Sequence, residues 1–289
     1  MRDALTRERI AVAFRALGLQ AGDVLLVHSS LRSLGYVEGG AGTVVDALLD
    51  VLGPRGTLCV PTFVFSLTGQ PRPVFDPATT PSEVGAISEA ARRRPGARRS
   101  AHLIHSIAAL GPAAEEITRV HGPSAWACDG PFWQLHHFDA KIVLLGVPYL
   151  RCTYFHVVEQ LVQTPKRVFR EIDARLRRPD GTFTPLPTRA FVPVPGWRNN
   201  DFNKFGALAE SRGLVRIGPV GNAVTRVLRA RDVVAHGVRE YREDPDIFNW
   251  TDPEYTPLRD GVLAEAQFVE KAVYDPAQLS VRSGDGPAR

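Results

Sequence analysis

The chain has 289 residues, 44% hydrophobic and 23% charged, with a formal net charge of +4. This is the composition of a globular protein, and no apolar run reaches the roughly 20 residues that span a bilayer. Three cysteines (Cys59, Cys128, Cys152) without a CxxC pair exclude a disulfide framework. Met1–Ile10 alternates charged and apolar residues and reads as a first amphipathic helix rather than a signal peptide, which points to the cytoplasm. Asp23–Val27 reads as a strand and Gly42–Leu52 as a helix ended by Gly53-Pro54. Gly56–Val60 is a second strand, and Ser82–Arg93 a second helix with Ser82 as its N-cap. Ser106–Leu110 reads as strand, Ala113–Val120 as helix, and Lys141–Val147 as a buried strand closed by Pro148. This alternation predicts an α/β fold with a largely parallel central sheet and crossover helices.

The texture changes after about residue 165. Arg167–Arg177 alternates as a strand, Pro179-Asp180-Gly181 signals a turn, and Thr182–Leu186 returns as a hairpin partner. Pro-rich connections run to Pro195-Gly196, so 165–200 is expected to be an antiparallel β insertion. Asn203–Glu210 and Asn222–Arg239 read as helices separated by a short strand, Leu214–Ile217. The linkers are not Gly/Ser-rich, so residues 1–289 are read as one domain with a frayed tail over 280–289.

The segment most suggestive of chemistry follows the strand ending at Val147: Thr153-Tyr154-Phe155-His156-Val157-Val158-Glu159. Thr153 can cap a helix there, which places His156 just past the carboxyl end of a strand, where open α/β sheets bind ligands. His156 and Glu159 are three apart, so they share a helix face and the carboxylate can steady the imidazole as a general base. The plainer reading is a capped helix whose His and Glu are structural.

A second segment, Ser29-Ser30-Leu31-Arg32 and on to Gly39-Gly40-Ala41-Gly42, is a strand end, a loop and a helix start. Hydroxyls, a guanidinium and helix-end N–H groups suit phosphate, although the pattern is neither a dinucleotide fingerprint nor a P-loop. Arg92, Arg93, Arg94, Arg98 and Arg99 add a basic cluster that serves a phosphorylated cofactor or a solvated face. With no aromatic ladder and no DNA-binding helix, nucleic acid is not expected. His102 and His105, with His28 and His156, leave a metal-dependent hydrolase as an alternative, although no spacing forces a ligand set.

Taken in order, H-S-S-L-R-S-L-G, G-G-A-x-T-V-V-D-A-L, L-G-x-x-G-T-L, R-S-x-H, S-x-A-A-x-G-P-x-A-E-E-I, I-V-L-L-G-V and T-x-x-H-x-x-E over Val24–Glu159 resemble the aminoglycoside 3-N-acetyltransferase (antibiotic N-acetyltransferase) family. The resemblance implies that family's own α/β fold, distinct from the GNAT fold. It implies transfer of an acetyl or other acyl group from acetyl-CoA to a small-molecule amine. No metal and no membrane partner enter, and a homodimer is compatible with it. The catalytic set is then His156 as base, with Glu159 and Thr153. Ser29, Ser30, Leu31, Arg32, Arg99, Ser100, His102 and Ser106 would hold coenzyme A.

The chain departs from the family pattern at His102-Leu103, at Gly130-Pro131-Phe132-Trp133 and at Cys152. These departures bear on the acceptor. Asp129, Trp133 and Asp201 are the candidate acceptor contacts, and the apolar 125–133 loop favours an amino sugar or other natural-product amine of low charge. An aminoglycoside acceptor, giving antibiotic resistance, is the alternative.

Overall fold

The computed structural model describes residues 4–119, 122–195, 200–249 and 268–269. The tail expected to fray over 280–289 lies outside them.

A seven-stranded sheet organises the chain. Its strands are β1 (Val24–Ser29), β2 (Thr57–Pro61), β4 (Arg98–Arg99), β5 (Ile107–Leu110), β6 (Lys141–Leu145), β9 (Arg216–Val220) and β10 (Ala223–Arg229). Their spatial order is β4-β5-β2-β1-β6-β10-β9. The centre, β2-β1-β6, is parallel, while β5 and β10 pair antiparallel with their neighbours, so the other five strands share one direction.

Alternation along the central strands sends side chains to two cores. Leu26, Cys59, Ile142 and Leu144 face one, while Leu25, Val27, Leu58, Val60, Val143 and Leu145 face the other. The second core is covered by α1 (Arg7–Ala16), α2 (Gly40–Leu52) and α3 (Ala86–Arg92). The first is covered by α4 (Ala114–Thr118), α5 (Pro131–His137), α6 (His156–Leu161), α7 (Phe202–Ser211) and α8 (Ala230–Glu243). Helices on both faces explain why the central strands are apolar throughout.

The expected insertion is a second sheet. β7 (Arg167–Arg177) and β8 (Phe183–Pro193) form an eleven-residue antiparallel ladder. β3 (Val74–Phe75) and β11 (Phe268–Val269) also pair with β7. β8 runs well past the expected Thr182–Leu186, through Pro185, Pro187 and Pro193. Among the described residues it pairs with β7 alone, and an edge strand tolerates prolines that a central strand would not.

Three other local expectations need correction. Asn222–Arg239 is not one helix: Ala223–Arg229 is strand β10, and α8 starts at Ala230. Val224, Thr225 and Val227 are β-branched and their burial alternates, and Gly221-Asn222 is a two-residue hairpin turn. Gly221 has φ of 59°, and a Cβ there would lie 2.5 Å from the Leu34 carbonyl oxygen. The first helix spans Arg7–Ala16 rather than Met1–Ile10, and Thr6 caps its start by accepting from the Arg9 amide. Ser82 caps nothing: α3 starts after Gly85, and the Ser82 amide donates to Glu89.

Gly206 in α7 permits a contact that no side chain would. A Cβ there would lie 2.1 Å from the Tyr149 ring, which packs beside Phe155 one residue before His156. Gly206→Ala is expected to destabilise the protein by about 1–3 kcal/mol through overpacking, measurable by denaturant melts.

Candidate functional site

His156 begins α6, at the carboxyl end of β6, after two short 3₁₀ turns over Tyr149–Arg151 and Thr153–Phe155. Thr153 opens the second turn without a side-chain capping bond, and its buried Oγ1 has no protein partner. The expected cap is therefore absent.

The imidazole sits in an aromatic cage. Trp126 lies 4.8 Å away edge-on, Phe202 5.1 Å and Phe191 6.4 Å. Its side chain is 11% exposed. His156 Nδ1 meets Glu159 Oε2 at 2.5 Å. A carboxylate can only accept, so this bond puts a proton on Nδ1 and leaves the Nε2 lone pair available.

Glu159 is fully buried and is itself held. Asn200 Nδ2 donates to Glu159 Oε1 at 2.6 Å, and Arg167 Nε lies 3.2 Å from Oε2. Arg167 also donates to Asn200 Oδ1, and to the Phe191 carbonyl at 2.6 Å. Burial and the Arg167 cation pull the His156 pKa down to about 4, against the opposing pull of Glu159. Glu159, beside the Arg167 guanidinium and accepting from His156 and Asn200, stays below the usual carboxylate range despite its burial. At neutral pH the set is therefore neutral imidazole, carboxylate and guanidinium.

Trp126 links this set to a second imidazole. His105 lies 4.3 Å from the Trp126 ring and 4.9 Å from Phe63, and burial keeps it well below its usual pKa. Among the described residues the buried Thr153 Oγ1, Trp126 Nε1, His105 Nδ1 and Asp201 Oδ1 have no protein partner. Asp201 directly precedes Phe202, whose ring touches His156.

The remaining expected contacts divide. Ser29, Ser30, Leu31 and Arg32 turn the corner after β1, with Arg32 exposed and Ser30 Oγ taking a bond from Ser33 Oγ. Ser29 of β1 pairs with Leu145 of β6, so this corner and His156 lie at the same end of the sheet.

The Arg99–Ser106 loop is different. Arg99 is sequestered: Nε donates to Thr62 Oγ1 and Ser106 Oγ, and the guanidinium also donates to the Thr62 and Thr80 carbonyls. Ser106 Oγ donates to the Thr62 carbonyl, Ser100 Oγ accepts from the Ile107 amide, and His102 Nδ1 accepts from the Ile104 and His105 amides. These groups knit the loop together internally, so any contact of Arg99, Ser100, His102 and Ser106 with coenzyme A has to be made by what these bonds leave free. Much of the basic cluster is likewise spent, since Arg92 pairs with Glu89, Arg94 with Asp46 and Arg98 with Glu115.

The acceptor expectation also shifts. Phe132 and Trp133 are buried in α5, and Trp133 stacks on His136 at 4.5 Å. Trp126, not Trp133, meets His156. Asp129 is exposed on the loop before α5. The histidines do not converge: among the described residues no three His, Cys, Asp or Glu side chains form a set that could hold a metal ion.

Sequence reasoning missed Trp126, Phe191, Asn200 and Arg167. Nothing local marks them, because each reaches His156 from a separate part of the chain. The nearest signal was Asp201, a candidate acceptor contact that adjoins Asn200.

Comparison with known proteins agrees with this geometry. The family model for aminoglycoside 3-N-acetyltransferase matches residues 26–242. Aminoglycoside N(3)-acetyltransferase IV of Salmonella sp is 34% identical over 244 residues, spanning 80% of this chain and 85% of that protein. Aminoglycoside N(3)-acetyltransferase VII of Streptomyces paromomycinus is 34% identical over 275 residues, spanning 81% and 90%. Among solved structures, apo AAC(3)-IVa superposes with TM-score 0.72 at 31% identity, over 88% of this chain and 94% of that one. AAC-IIIb in a binary complex with CoASH superposes with TM-score 0.75 at 27% identity, over 86% and 99%. The sequence match spans most of the chain and takes in His156, Glu159, Arg167 and Asn200 alike: the chain belongs to the aminoglycoside 3-N-acetyltransferase family and is an acyl-transferring enzyme.

Proposed function

We propose that the protein moves an acetyl group from acetyl-CoA to an amine of a small natural product or amino sugar, with His156 as the general base and direct transfer between the two substrates. The His156–Glu159 pair carries this reading, because it leaves a neutral Nε2 in a nearly closed aromatic cage at a strand end. Among the described residues the hydrolase alternative has no ligand set to support it.

Acetyl-CoA supplies an activated acyl carbon, and the protein's own residues do the rest. Nε2 accepts the proton of the attacking amine. Glu159 favours the imidazolium that forms, and the Trp126, Phe191 and Phe202 rings exclude water. Thr153 Oγ1 and Trp126 Nε1 are unpartnered donors beside the base. Buried polar atoms are ordinarily hydrogen-bonded, so these two, with Asp201 Oδ1, fit a site whose partners arrive with the substrates.

The β1 corner would hold the coenzyme: Ser29 and Ser30 offer hydroxyls, Leu31 an amide and Arg32 an exposed guanidinium. Two related solved structures are described as bound to an aminoglycoside, a histidine-to-alanine mutant of AAC(3)-IVa with a gentamicin and AAC-VIa with sisomicin. With acetyl-CoA as donor we place the enzyme in the cytoplasm. A homodimer belongs to the same reading, and light scattering tests it.

The decisive experiment is thiol release from acetyl-CoA across a panel of amines. No release with any amine, alongside normal coenzyme A binding, would overturn the reading. Coenzyme A affinity is expected to fall when Arg32 becomes alanine, and to fall as salt rises, because exposed charge pairs are screened beyond about 10 Å at 0.1 M salt. Calorimetry at two salt concentrations measures both. Affinity indifferent to both changes would remove the β1 corner from the coenzyme site.

A further inference from the structure

We propose that Arg167 and Asn200 are positioning residues for acyl transfer, clamping the Glu159 carboxylate so that the His156 imidazole is held in one tautomer and one orientation. The inference rests on the reading of His156 as the base.

The clamp is a closed circuit. Glu159 Oε2 is shared between His156 Nδ1 at 2.5 Å and Arg167 Nε at 3.2 Å, and Oε1 accepts from Asn200 Nδ2 at 2.6 Å. The Arg167 guanidinium then donates to Asn200 Oδ1. Arginine can only donate and a carboxylate can only accept, so the orientation of the Asn200 amide is dictated by its two neighbours. A further Arg167 donor is anchored on the Phe191 carbonyl, and the guanidinium lies 5.2 Å from the centroid of the Phe191 ring, which lines the His156 cage.

Each member comes from a different element. Glu159 is in α6, Arg167 opens β7, and Asn200 precedes α7, where a bridge to Asn249 fixes its backbone. The second sheet therefore reaches the catalytic set through a residue whose contacts run to Glu159, Asn200 and Phe191.

Among the described residues the ionisable groups that bear on the imidazole are Glu159 from its own helix, Arg167 from β7, and His105, which is neutral, from the loop after β4; the Asp201 carboxylate comes in with Phe202. Trp126, Phe191 and Phe202 bring no charge. Arg167 opposes the imidazolium while Glu159 favours it. Arg167 thus secures geometry at a cost in basicity. A purely structural arginine would affect folding but leave the titration of His156 alone.

The test uses Arg167→Gln, Arg167→Lys and Asn200→Ala in the full chain, with kcat, KM and the pH dependence of kcat/KM measured for each. Arg167→Gln is expected to lower kcat about 10- to 100-fold. That is less than the ~10⁴-fold lost when the orienting aspartate of a serine protease triad is changed, because Glu159 itself remains. KM for acetyl-CoA should stay within about threefold, and the acid limb should move to higher pH. The amine's own ionisation is common to all variants and cancels in the comparison.

Arg167→Lys should restore the acid limb but only part of kcat, since one ammonium does not reproduce the fork. Asn200→Ala should lower kcat with little change in the limb. A raised KM with parental kcat and an unmoved limb would make Arg167 a substrate-binding residue and overturn the proposal. If Arg167→Gln does not fold, parental kcat in both Arg167→Lys and Asn200→Ala would overturn it instead. A His156→Ala enzyme that keeps its activity defeats the reading of the base. An inactive His156→Ala enzyme beside parental Arg167 and Asn200 variants defeats this inference alone.

Discussion

Replacing His156 with alanine is expected to lower kcat by ~10²–10⁴-fold, the usual contribution of a well-placed general base. Coenzyme A binding should stay within a few-fold, because the β1 corner that would hold the coenzyme comes from a different strand. Folding should survive, since the neutral imidazole is not the counter-ion of Glu159 and the Arg167 cation remains beside it. Glu159→Gln is the opposite case. It leaves the Arg167 guanidinium buried without its counter-ion, and breaking such a pair typically costs about 3–5 kcal/mol. That variant should therefore lose stability as well as rate, and melting curves will separate it from His156→Ala.

The pH dependence carries a definite sign. His156 has its pKa lowered to about 4. The base form is therefore already populated at pH 5–6, where an ordinary histidine is mostly protonated. The acceptor amine's own ionisation adds a limb to kcat/KM, so the titration of the His156 ring itself is the readout: it should lie well below pH 6.5, and one near 6.5 would mean that the imidazole is solvated. Stopped assays across pH 4–8, with the His156 ring followed by NMR, check both near-normal turnover in the alanine variant and the titration of the ring. Either failure would remove His156 from the mechanism as described.

How much of this was legible in the sequence depends on how local each signal was. β1, β2 and β6 are short apolar runs bounded by breakers, and they were readable because burial on both faces leaves no polar alternation to mistake. His156 and Glu159 were readable because three residues of helix bring them together. The partners of Glu159 were not, since Arg167 and Asn200 reach it only through the second sheet and the approach to α7. Arg99 reads as a phosphate ligand because sequence shows a guanidinium but not what surrounds it, and here carbonyls and hydroxyls surround it. The Asn222–Arg239 segment misled because its apolar spacing fits a helix in part, while Gly221-Asn222 marks the hairpin. The aromatic run in the 125–133 loop was seen, but which ring turns towards the base is a matter of packing, and Trp126 does so while Trp133 stacks on His136.

The charge arrangement around His156 leads to the second large effect, on the choice of acceptor. Polycations are held by clustered unpaired carboxylates. Among the described residues several acidic groups of α6, α7 and α8 and of the segment after α8 are already paired. Glu159 is matched by Arg167, Glu210 by Arg226 at 2.7 Å, Glu240 by Arg212 and Arg239, and Asp246 by Lys166. Asp201 is the exception beside the cage, with a buried Oδ1 that has no protein partner. One such carboxylate suits one ammonium group. The cage itself is aromatic, and cation–π contact with its rings adds only ~0.5–2 kcal/mol per contact. We therefore expect kcat/KM to be at least tenfold higher for a singly charged amino sugar or natural-product amine than for a gentamicin-type substrate. Asp201→Asn should raise KM for the better acceptor several-fold while sparing KM for acetyl-CoA. Steady-state kinetics over a graded series of amines tests this directly. A gentamicin-type substrate turned over near or above ~10⁴ M⁻¹s⁻¹, the lower end of ordinary enzyme efficiency, would show that the acidic groups open to the acceptor were undercounted.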